Sequence, residues 1–193
     1  MALRPTDALN RLAETAQATA AALGPAMDQA QAMVLATVQR RGKLLFCGNG
    51  GSAADAQHLA TEYVVRFARA RAAYSALALT TDSSALTAIG NDFGFEQVFA
   101  RQIEALGASG DLLIVHSTSG NSPNLIAAVH AARARSIATL AFLAKGGGAL
   151  APLVDHAVVV PTDRTDHAQE LHLCIEHAIC DAVDEYLAHG SRS

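Results

Sequence analysis

A histidine and a glutamate stand four residues apart in this sequence, His58 and Glu62, shortly after a cluster of glycines. In a helix, this spacing puts the imidazole and the carboxylate on one face, one turn apart. Both groups can transfer protons, and both can bind a divalent metal ion. The stretch therefore predicts a proton-transfer pair or part of a metal site.

The glycines before this pair predict an anion-binding turn. Gly48, Gly50 and Gly51 allow positive φ and close backbone approach, and a helix that opens at Ser52 directs its free N–H groups into the turn. The same run fits a dinucleotide-binding pattern, which needs an acid about 20 residues further on. The first acid that ends a strand, Asp82, lies 34 positions after Gly48, and the Walker pattern is absent. A nucleotide is therefore disfavoured.

A second loop carries four hydroxyl side chains around a glycine: Ser117, Thr118, Ser119 and Ser122. Ser122 precedes a proline, so it is placed to cap a helix. Two strand-to-helix turns of this type could converge on one phosphate through neutral donors and helix dipoles. This agrees with the absence of Lys and Arg from both loops. The predicted ligand is a monophosphate, with Asn49 beside the first turn.

Two further groups of polar residues are open to more than one interpretation. Asn91 and Asp92 lie between apolar neighbours, where they could form a turn or bind sugar hydroxyls. The last helix carries a larger set: Asp166, Gln169, Glu170, His172, Glu176 and His177. Gln169 and His177 share one face, and His172 and Glu176 share another, so either pair could hold a metal. Other histidines, including His116 and His172, are interpreted as surface or core groups.

These residues lie between short apolar runs that predict a parallel sheet. The predicted strands are 44–47, 76–79, 112–115, 138–143 and 157–160, and the predicted helices between and after them are 52–68, 83–89 with 95–106, 123–133 and 166–187. Continuous apolar strands that alternate with helices are typical of a sheet covered on both faces. The fold class is therefore α/β, a three-layer α/β/α sandwich with a five-stranded parallel sheet. Ligands bind beyond the carboxyl ends of such strands, where both loops lie.

The amino-terminal part predicts two helices, 6–23 and 26–40, separated by Gly24-Pro25. Their alanine-rich composition favours packing against a neighbouring subunit. We expect a single domain over 1–193, with a helical pair at 1–41 used in oligomer packing and the sandwich at 42–193.

Composition excludes several classes of function. The chain has 193 residues and a formal net charge of −4, with no basic run longer than Arg40-Arg41, which disfavours direct nucleic-acid binding. No apolar run reaches membrane-spanning length and the amino terminus shows no secretory signal, so we expect a cytoplasmic protein without membrane contact. Cys47, Cys174 and Cys180 lack metal-site spacing and are interpreted as buried free thiols.

The separated motifs together resemble the phosphoheptose isomerases of the sugar isomerase (SIS) domain family. The resemblance is carried by residues 47–58, 88–94, 117–122 and 169–172, and it covers essentially the whole chain. His116, before the hydroxyl loop, and the loop 144–148 depart from the family pattern. The resemblance implies an SIS fold and a homotetramer with active sites at subunit interfaces. It also implies D-glycero-D-manno-heptose 7-phosphate as the product, for bacterial envelope heptose.

The resemblance also implies a set of site residues. The metal, Zn²⁺ or another divalent ion at one per subunit, would be bound by His58, Glu62, Gln169 and His177. The implied substrate contacts are Asn49, Gly50, Gly51, Ser52, Glu62, Arg66, Asn91, Asp92, Ser117, Thr118, Ser119, Ser122, Asp166 and Gln169.

The resulting hypothesis is isomerisation of sedoheptulose 7-phosphate through a cis-enediol. Glu62 would carry a proton between C1 and C2, His177 would serve the oxygens, and the metal would polarise the carbonyl. The alternative is a non-catalytic regulator on the same scaffold, which would bind the replication initiator protein or sense sugar phosphates. Glu62 favours the enzyme, because a binding module does not need a carboxylate one turn after His58.

Overall fold

The computed structural model describes residues 4–190. The strands are β1 (Leu44–Gly48), β2 (Ala76–Ala78), β3 (Leu112–Ser117), β4 (Ala138–Leu143) and β5 (His156–Val159). The helices are α1 (Pro5–Gln39), α2 (Gly51–Val64), α3 (Ser83–Phe93), α4 (Ala100–Leu106), α5 (Pro123–Ala134) and α6 (Thr165–Gly190). All five predicted strands are present, while α2 ends at Val64 instead of at residue 68 and α3 extends to Phe93 instead of ending at residue 89.

The five strands form one parallel sheet in the order β2-β1-β3-β4-β5. Alternate side chains of β1, β3, β4 and β5 enter different cores, as Phe46 and Cys47 do in β1. One core is shared with α1, α2 and α6, and the other with α4 and α5. The predicted three-layer sandwich is therefore confirmed.

The strand order reverses direction at β1. The chain leaves β1 for its neighbour β2 on one side, and β3 pairs with β1 on the other side. In open α/β sheets, this reversal leaves a crevice beyond the carboxyl ends of the two strands. The crevice lies between the loops that follow β1 and β3, where sequence analysis expects the ligand.

The predicted break between two amino-terminal helices is wrong. α1 is one helix of 35 residues with Pro25 inside it. A proline removes one helical hydrogen bond and disfavours the preceding turn. Apolar residues on both sides of Pro25, such as Leu12 and Val34, nevertheless pack into the same core. The His156 ring also donates from Nε2 to the Ala26 carbonyl at 2.7 Å. Packing along the whole helix outweighs the local signal of Gly24-Pro25.

The cysteines are free thiols, and one of them differs from expectation. Cys47 and Cys180 are buried, whereas Cys174 is exposed on α6. Burial raises the pKa of Cys47, and burial followed by the charge of Asp184 raises the pKa of Cys180 to about 12. Both buried thiols therefore stay protonated at neutral pH.

None of the helices within residues 4–190 combines the length and the apolar character that a membrane crossing needs. The assignment of 1–193 to one domain, divided at residue 41, stays a prediction. Its outermost residues, 1–3 and 191–193, lie outside the described part of the chain.

His172 is a core residue, as interpreted from the sequence. It is completely buried, and its Nε2–H donates to the Leu143 carbonyl at 3.0 Å. Burial is the main cause that lowers the pKa of His172, to about 4 from 6.5. The ring is therefore neutral in the folded chain at neutral pH.

This burial predicts a pH-dependent contribution to stability. Between pH 6.5 and about 4, unfolded His172 binds a proton that folded His172 does not, so stability falls as the pH falls through this window. The contribution amounts to about 3 kcal/mol across the window. The variant His172→Gln keeps an amide donor but cannot titrate. Urea unfolding at neutral pH and at pH about 5 should show that the free energy of unfolding falls less for the variant than for the wild type. Equal losses would contradict the assignment.

Candidate functional site

The turn after β1 is built for close backbone approach. Gly50 has φ 58°, and α2 begins at the next residue. A side chain at Gly48 would meet the backbone oxygen of Ser52 at 2.5 Å, so only glycine fits. The first N–H groups of α2 have no helical partner and carry the positive end of the helix dipole. This end of α2 therefore suits an anion, as expected from the sequence.

The hydroxyl loop after β3 is held in shape by hydrogen bonds within the loop and with the segment 147–150. Gly120 donates its N–H to Ser117 Oγ at 3.0 Å and accepts from the N–H of Leu150 at 2.9 Å. Asn121 Oδ1 accepts from the N–H of Ala149 at 2.9 Å. A side chain at Gly120 would collide with the Gly147 carbonyl. The segment around Gly147 thus braces the loop and fixes the directions of its hydroxyl groups.

The two loops enclose a cavity of about 260 Å³. It is lined by Asn49, Gly50, Gly51, Ser52, His116, Ser117, Thr118, Ser119, Ser122, Leu125, Thr165 and Gln169. Most of the predicted substrate contacts therefore meet in one place. A larger cavity, near 580 Å³, lies by Gly42 and Ser75 at the opposite end of the sheet. Ligands of parallel sheets bind at the carboxyl ends of the strands, so the smaller cavity is the candidate site.

A pair of asparagines joins the two loops, and sequence reasoning missed one of them. Asn49 Nδ2 donates to Asn124 Oδ1 at 2.9 Å, and Asn124 Nδ2 donates to Asn49 Oδ1 at 2.8 Å. Asn124 lies in the first turn of α5 and is 4% exposed. Its only sequence signal is an amide directly after the helix-capping Ser122-Pro123. The reciprocal bonds fix the width of the cavity.

His58, Glu62 and His177 converge into one cluster. His58 Nε2 lies 2.8 Å from His177 Nε2 and 3.4 Å from Glu62 Oε1. The potential ligand atoms of the three residues all lie within 4.8 Å of one another. Two imidazole nitrogens and a carboxylate oxygen form a donor set that suits Zn²⁺ or a similar ion. The cluster fits a metal site, and we call it the triad.

The environment of His177 supports a neutral ring. Phe67 stacks on His177 with ring centroids 5.0 Å apart. Burial lowers the pKa of His177, the charge of His58 lowers it further, and Glu62 partly opposes both effects. A neutral imidazole can bind a metal or accept a proton.

Gln169, the predicted fourth ligand, lies against the glycine turn. A side chain at Gly51 would meet the amide atoms of Gln169 at 2.5 to 2.7 Å. Gln169 therefore occupies the space that the missing side chain leaves, and it lines the cavity between the two loops. Its coordination of the metal stays a prediction.

Besides Glu62 of the triad, four predicted substrate residues are not part of the cavity lining. Arg66, Asn91, Asp92 and Asp166 are exposed. Asn91 Nδ2 donates to Asp92 Oδ1 at 2.7 Å near the end of α3, so the pair is helical and the turn interpretation is wrong. Asp166 pairs with Arg164 at the start of α6. Substrate binding by these four residues stays a prediction.

His172 and Glu176, the alternative metal pair on α6, each bond to a different partner and do not form a metal site together. His172 bonds to the Leu143 carbonyl, whereas Glu176 Oε2 lies 2.5 Å from His116 Nε2. His116 is completely buried and lines the cavity, a role that its interpretation as a surface or core group missed. Burial works to lower the pKa of His116, but the charge and hydrogen bond of Glu176, together with the Asp55 charge and a hydrogen bond with the Cys47 backbone, outweigh burial and the net shift is upward. The only sequence signal for this role of His116 is that a polar residue stands at the end of an apolar strand.

Both the sequence and the backbone match known proteins. The SIS domain family model matches residues 7–144. A phosphoheptose isomerase of Solidesulfovibrio magneticus is 56% identical over 161 residues, which cover 83% of this chain and 78% of that protein. Phosphoheptose isomerase GmhA from Neisseria gonorrhoeae has a similar structure, with a TM-score of 0.88, 43% identity and coverage of 93% of this chain and 96% of that one. A phosphoheptose isomerase from Francisella tularensis gives a TM-score of 0.89 at 36% identity, covering 95% of this chain and 100% of that chain.

The triad predicts where a divalent ion binds. His177→Asn should weaken Zn²⁺ binding more than about 100-fold, because loss of a ligand exceeds the effect of losing a supporting residue. The affinity can be measured by competition with a chromophoric chelator. The exposed His130 on α5 offers a matched control, and His130→Asn should leave the affinity unchanged. Equal affinities of the two variants would place the ion elsewhere.

The contact between Gly51 and Gln169 predicts a non-additive pair of substitutions. Gly51→Ala should push the flexible Gln169 amide away, so we expect both Gly51→Ala and Gln169→Ala to weaken Zn²⁺ binding about ten-fold. The double variant should lose no more than either single variant. Gly90→Ala is a suitable control, because a side chain there meets nothing within 4 Å. Additive losses, or no loss in either single variant, would exclude Gln169 as a ligand.

Proposed function

This chain belongs to the phosphoheptose isomerases of the SIS-domain family, and from that premise we propose that it converts sedoheptulose 7-phosphate to D-glycero-D-manno-heptose 7-phosphate. One observation carries the proposal: the cavity at the amino end of α2 and the triad one to three turns further along both use residues of this helix. We propose that this reaction supplies a pathway of heptose biosynthesis.

The cavity suits the phosphate group of such a substrate. Backbone N–H groups at the start of α2 and the hydroxyls of Ser117, Ser119 and Ser122 would donate to the phosphate oxygens. The described cavity lining contains no lysine or arginine, so the helix dipoles of α2 and α5 would supply the stabilising positive potential.

The spacing along α2 favours a long sugar. His58 lies six residues after Ser52, which is about 9 Å along the helix axis. A phosphate bound at the start of α2 would leave the far end of an open-chain heptose near the triad. A triose phosphate would be too short to reach it. The geometry therefore supports a substrate whose reacting carbons are remote from its phosphate.

Two residues of the triad would carry the protons. The reaction moves the carbonyl group from C2 to C1, so a proton must leave C1 and another must arrive at C2. We propose that the Glu62 carboxylate takes the proton from C1 and delivers a proton to C2. His177 would move a proton from the C1 oxygen to the C2 oxygen. A divalent ion held by His58, Glu62 and His177, with Gln169 as the proposed fourth ligand, would act as a Lewis acid toward the carbonyl oxygen. Coordination lowers carboxylate basicity and occupies the imidazole lone pair, so we propose that Glu62 binds the ion weakly and that His177 is not bound to the ion while it accepts a proton.

We propose a homotetramer in which neighbouring subunits complete the site. None of the described residues of α3 is buried, and Phe93 at its end and Phe95 just after it are 56% and 64% exposed. An assembly would cover such apolar groups and could bring Asn91 and Asp92 to the cavity of another subunit. Residence in the cytoplasm stays a prediction.

The triad also favours an enzyme over the non-catalytic regulator. Sensing a sugar phosphate requires the cavity, whereas the convergence of His58, Glu62 and His177 serves proton transfer and metal binding.

The reaction can be tested with purified protein and sedoheptulose 7-phosphate. The wild type should form the aldose, and a chelator should reduce the rate until Zn²⁺ is restored. Glu62→Gln should lower kcat by at least about 100-fold, because it removes an acid–base group. The exposed Glu104 on α4 provides the control substitution Glu104→Gln, which should keep wild-type kcat. Absence of aldose formation by the metal-loaded wild type would refute the proposed function.

A further inference from the structure

A buried hydrogen bond between His116 and Glu176 joins the two halves of the site. We propose that these two residues are positioning residues, which hold the phosphate cavity and the triad at a fixed separation. The inference rests on the proposed function for its catalytic consequence, but its binding consequences are independent of that function.

The positions of the two residues in the chain give the bond its importance. His116 directly precedes Ser117, the first residue of the hydroxyl loop, and Glu176 directly precedes His177 of the triad. Their side chains approach to 2.5 Å, and the residues are 0% and 3% exposed. A shift of α6 along the sheet would break this bond. The bond therefore couples the place of His177 to the start of the phosphate loop.

The His116 ring has little freedom to move. Phe46 and Phe142 stack on it with centroid distances of 6.2 and 5.9 Å and interplanar angles of 9° and 15°. Since the ring is clamped between two neighbouring strands, Glu176 is the partner that must adapt to it. The strand thus provides the fixed reference and α6 is held against it.

Stability alone does not explain the pair. Removing a hydrogen-bonded charged pair from water costs free energy, and well-packed apolar residues in the same place are often equally or more stabilising. A pair that is costly for folding, lies in the wall of the cavity and adjoins both functional groups is better explained by positioning.

A third element is tied to the same cluster. Asp55 belongs to α2, between the glycine turn and His58, and its charge interacts with that of His116. Its Oδ2 atom is buried without a hydrogen-bond partner. The elements α2, β3 and α6, which carry the two loops and the triad, therefore meet around His116.

The double variant His116→Leu/Glu176→Leu separates positioning from stability. Each single Leu variant leaves one buried polar partner unpaired and should lower the Tm. The double variant should recover a Tm near that of the wild type. Its Kd for inorganic phosphate, measured by calorimetry, should nevertheless remain about ten-fold or more weaker, and its Zn²⁺ affinity should be reduced by a similar factor. The single variant Glu176→Gln keeps a hydrogen-bond acceptor for the His116 ring, so it should retain most of the wild-type affinity for phosphate and for Zn²⁺.

The control is a buried carboxylate, Asp111, with its half-buried partner at the other end of the sheet. Asp111 accepts from Lys43 Nζ at 2.8 Å and is 3% exposed. Asp111→Asn should lower the Tm without changing either affinity. Wild-type affinities in the Leu/Leu double variant would overturn the inference, as would equal losses of affinity in Asp111→Asn. If the wild type fails to isomerise the sugar, the proposed function fails, while the two affinities still decide the role of the pair.

In an active wild type, the kinetic constants give a second readout. The double variant should show a raised KM and a lowered kcat together, because both the phosphate anchor and His177 are displaced. A variant that differs from the wild type only in Tm would contradict positioning.

Discussion

Parallel pairing of β1 with β3 brings Gly48 level with His116, so the chain leaves both strands at the same height. The glycine turn and the hydroxyl loop begin at this level, and the helices α2 and α5 point their amino ends toward the gap between them. A slip of one residue in this register would separate the reciprocal bonds of Asn49 and Asn124 and would move every strand side chain to the other face of the sheet. The geometry of the cavity depends on this pairing.

The second constraint is the packing of α6 against one face of the same sheet. The cavity and the triad use different residues of α2, but His177 comes from a helix more than a hundred positions later. Its place is set by the buried face of α6, including Leu171 and Ile175, and by the bond from Glu176 to His116. A proton-transfer group has to be held within a fraction of an ångström, and apolar packing combined with a directional hydrogen bond achieves this.

Much of the fold follows from local sequence patterns. Continuous apolar runs such as 112–115 predict buried parallel strands because a sheet covered on both faces tolerates little else. The pair His58 and Glu62 follows from helical spacing alone. The break at Gly24-Pro25 was predicted from an equally local signal and is wrong, because contacts with the core along the whole of α1 outweigh one lost hydrogen bond.

The long-range partners could not be predicted from the residues alone. Nothing in the spacing of His172, Glu176 and His177 tells which of them faces α2, since the choice depends on how α6 is rotated against the sheet. The partner of Asn49 and the burial of His116 likewise depend on which strands are neighbours. Arg66, Asn91 and Asp92 remain exposed in the single chain, and their proposed roles depend on an assembly.

A crystal structure of the protein with Zn²⁺ and inorganic phosphate, with anomalous data collected at the zinc edge, tests the central claim most directly. The account predicts an anomalous peak between His58 Nε2, His177 Nε2 and Glu62, and phosphate bound between the start of α2 and the loop Ser117 to Ser122. Zinc at other residues, or phosphate in the cavity beside Gly42, would contradict it.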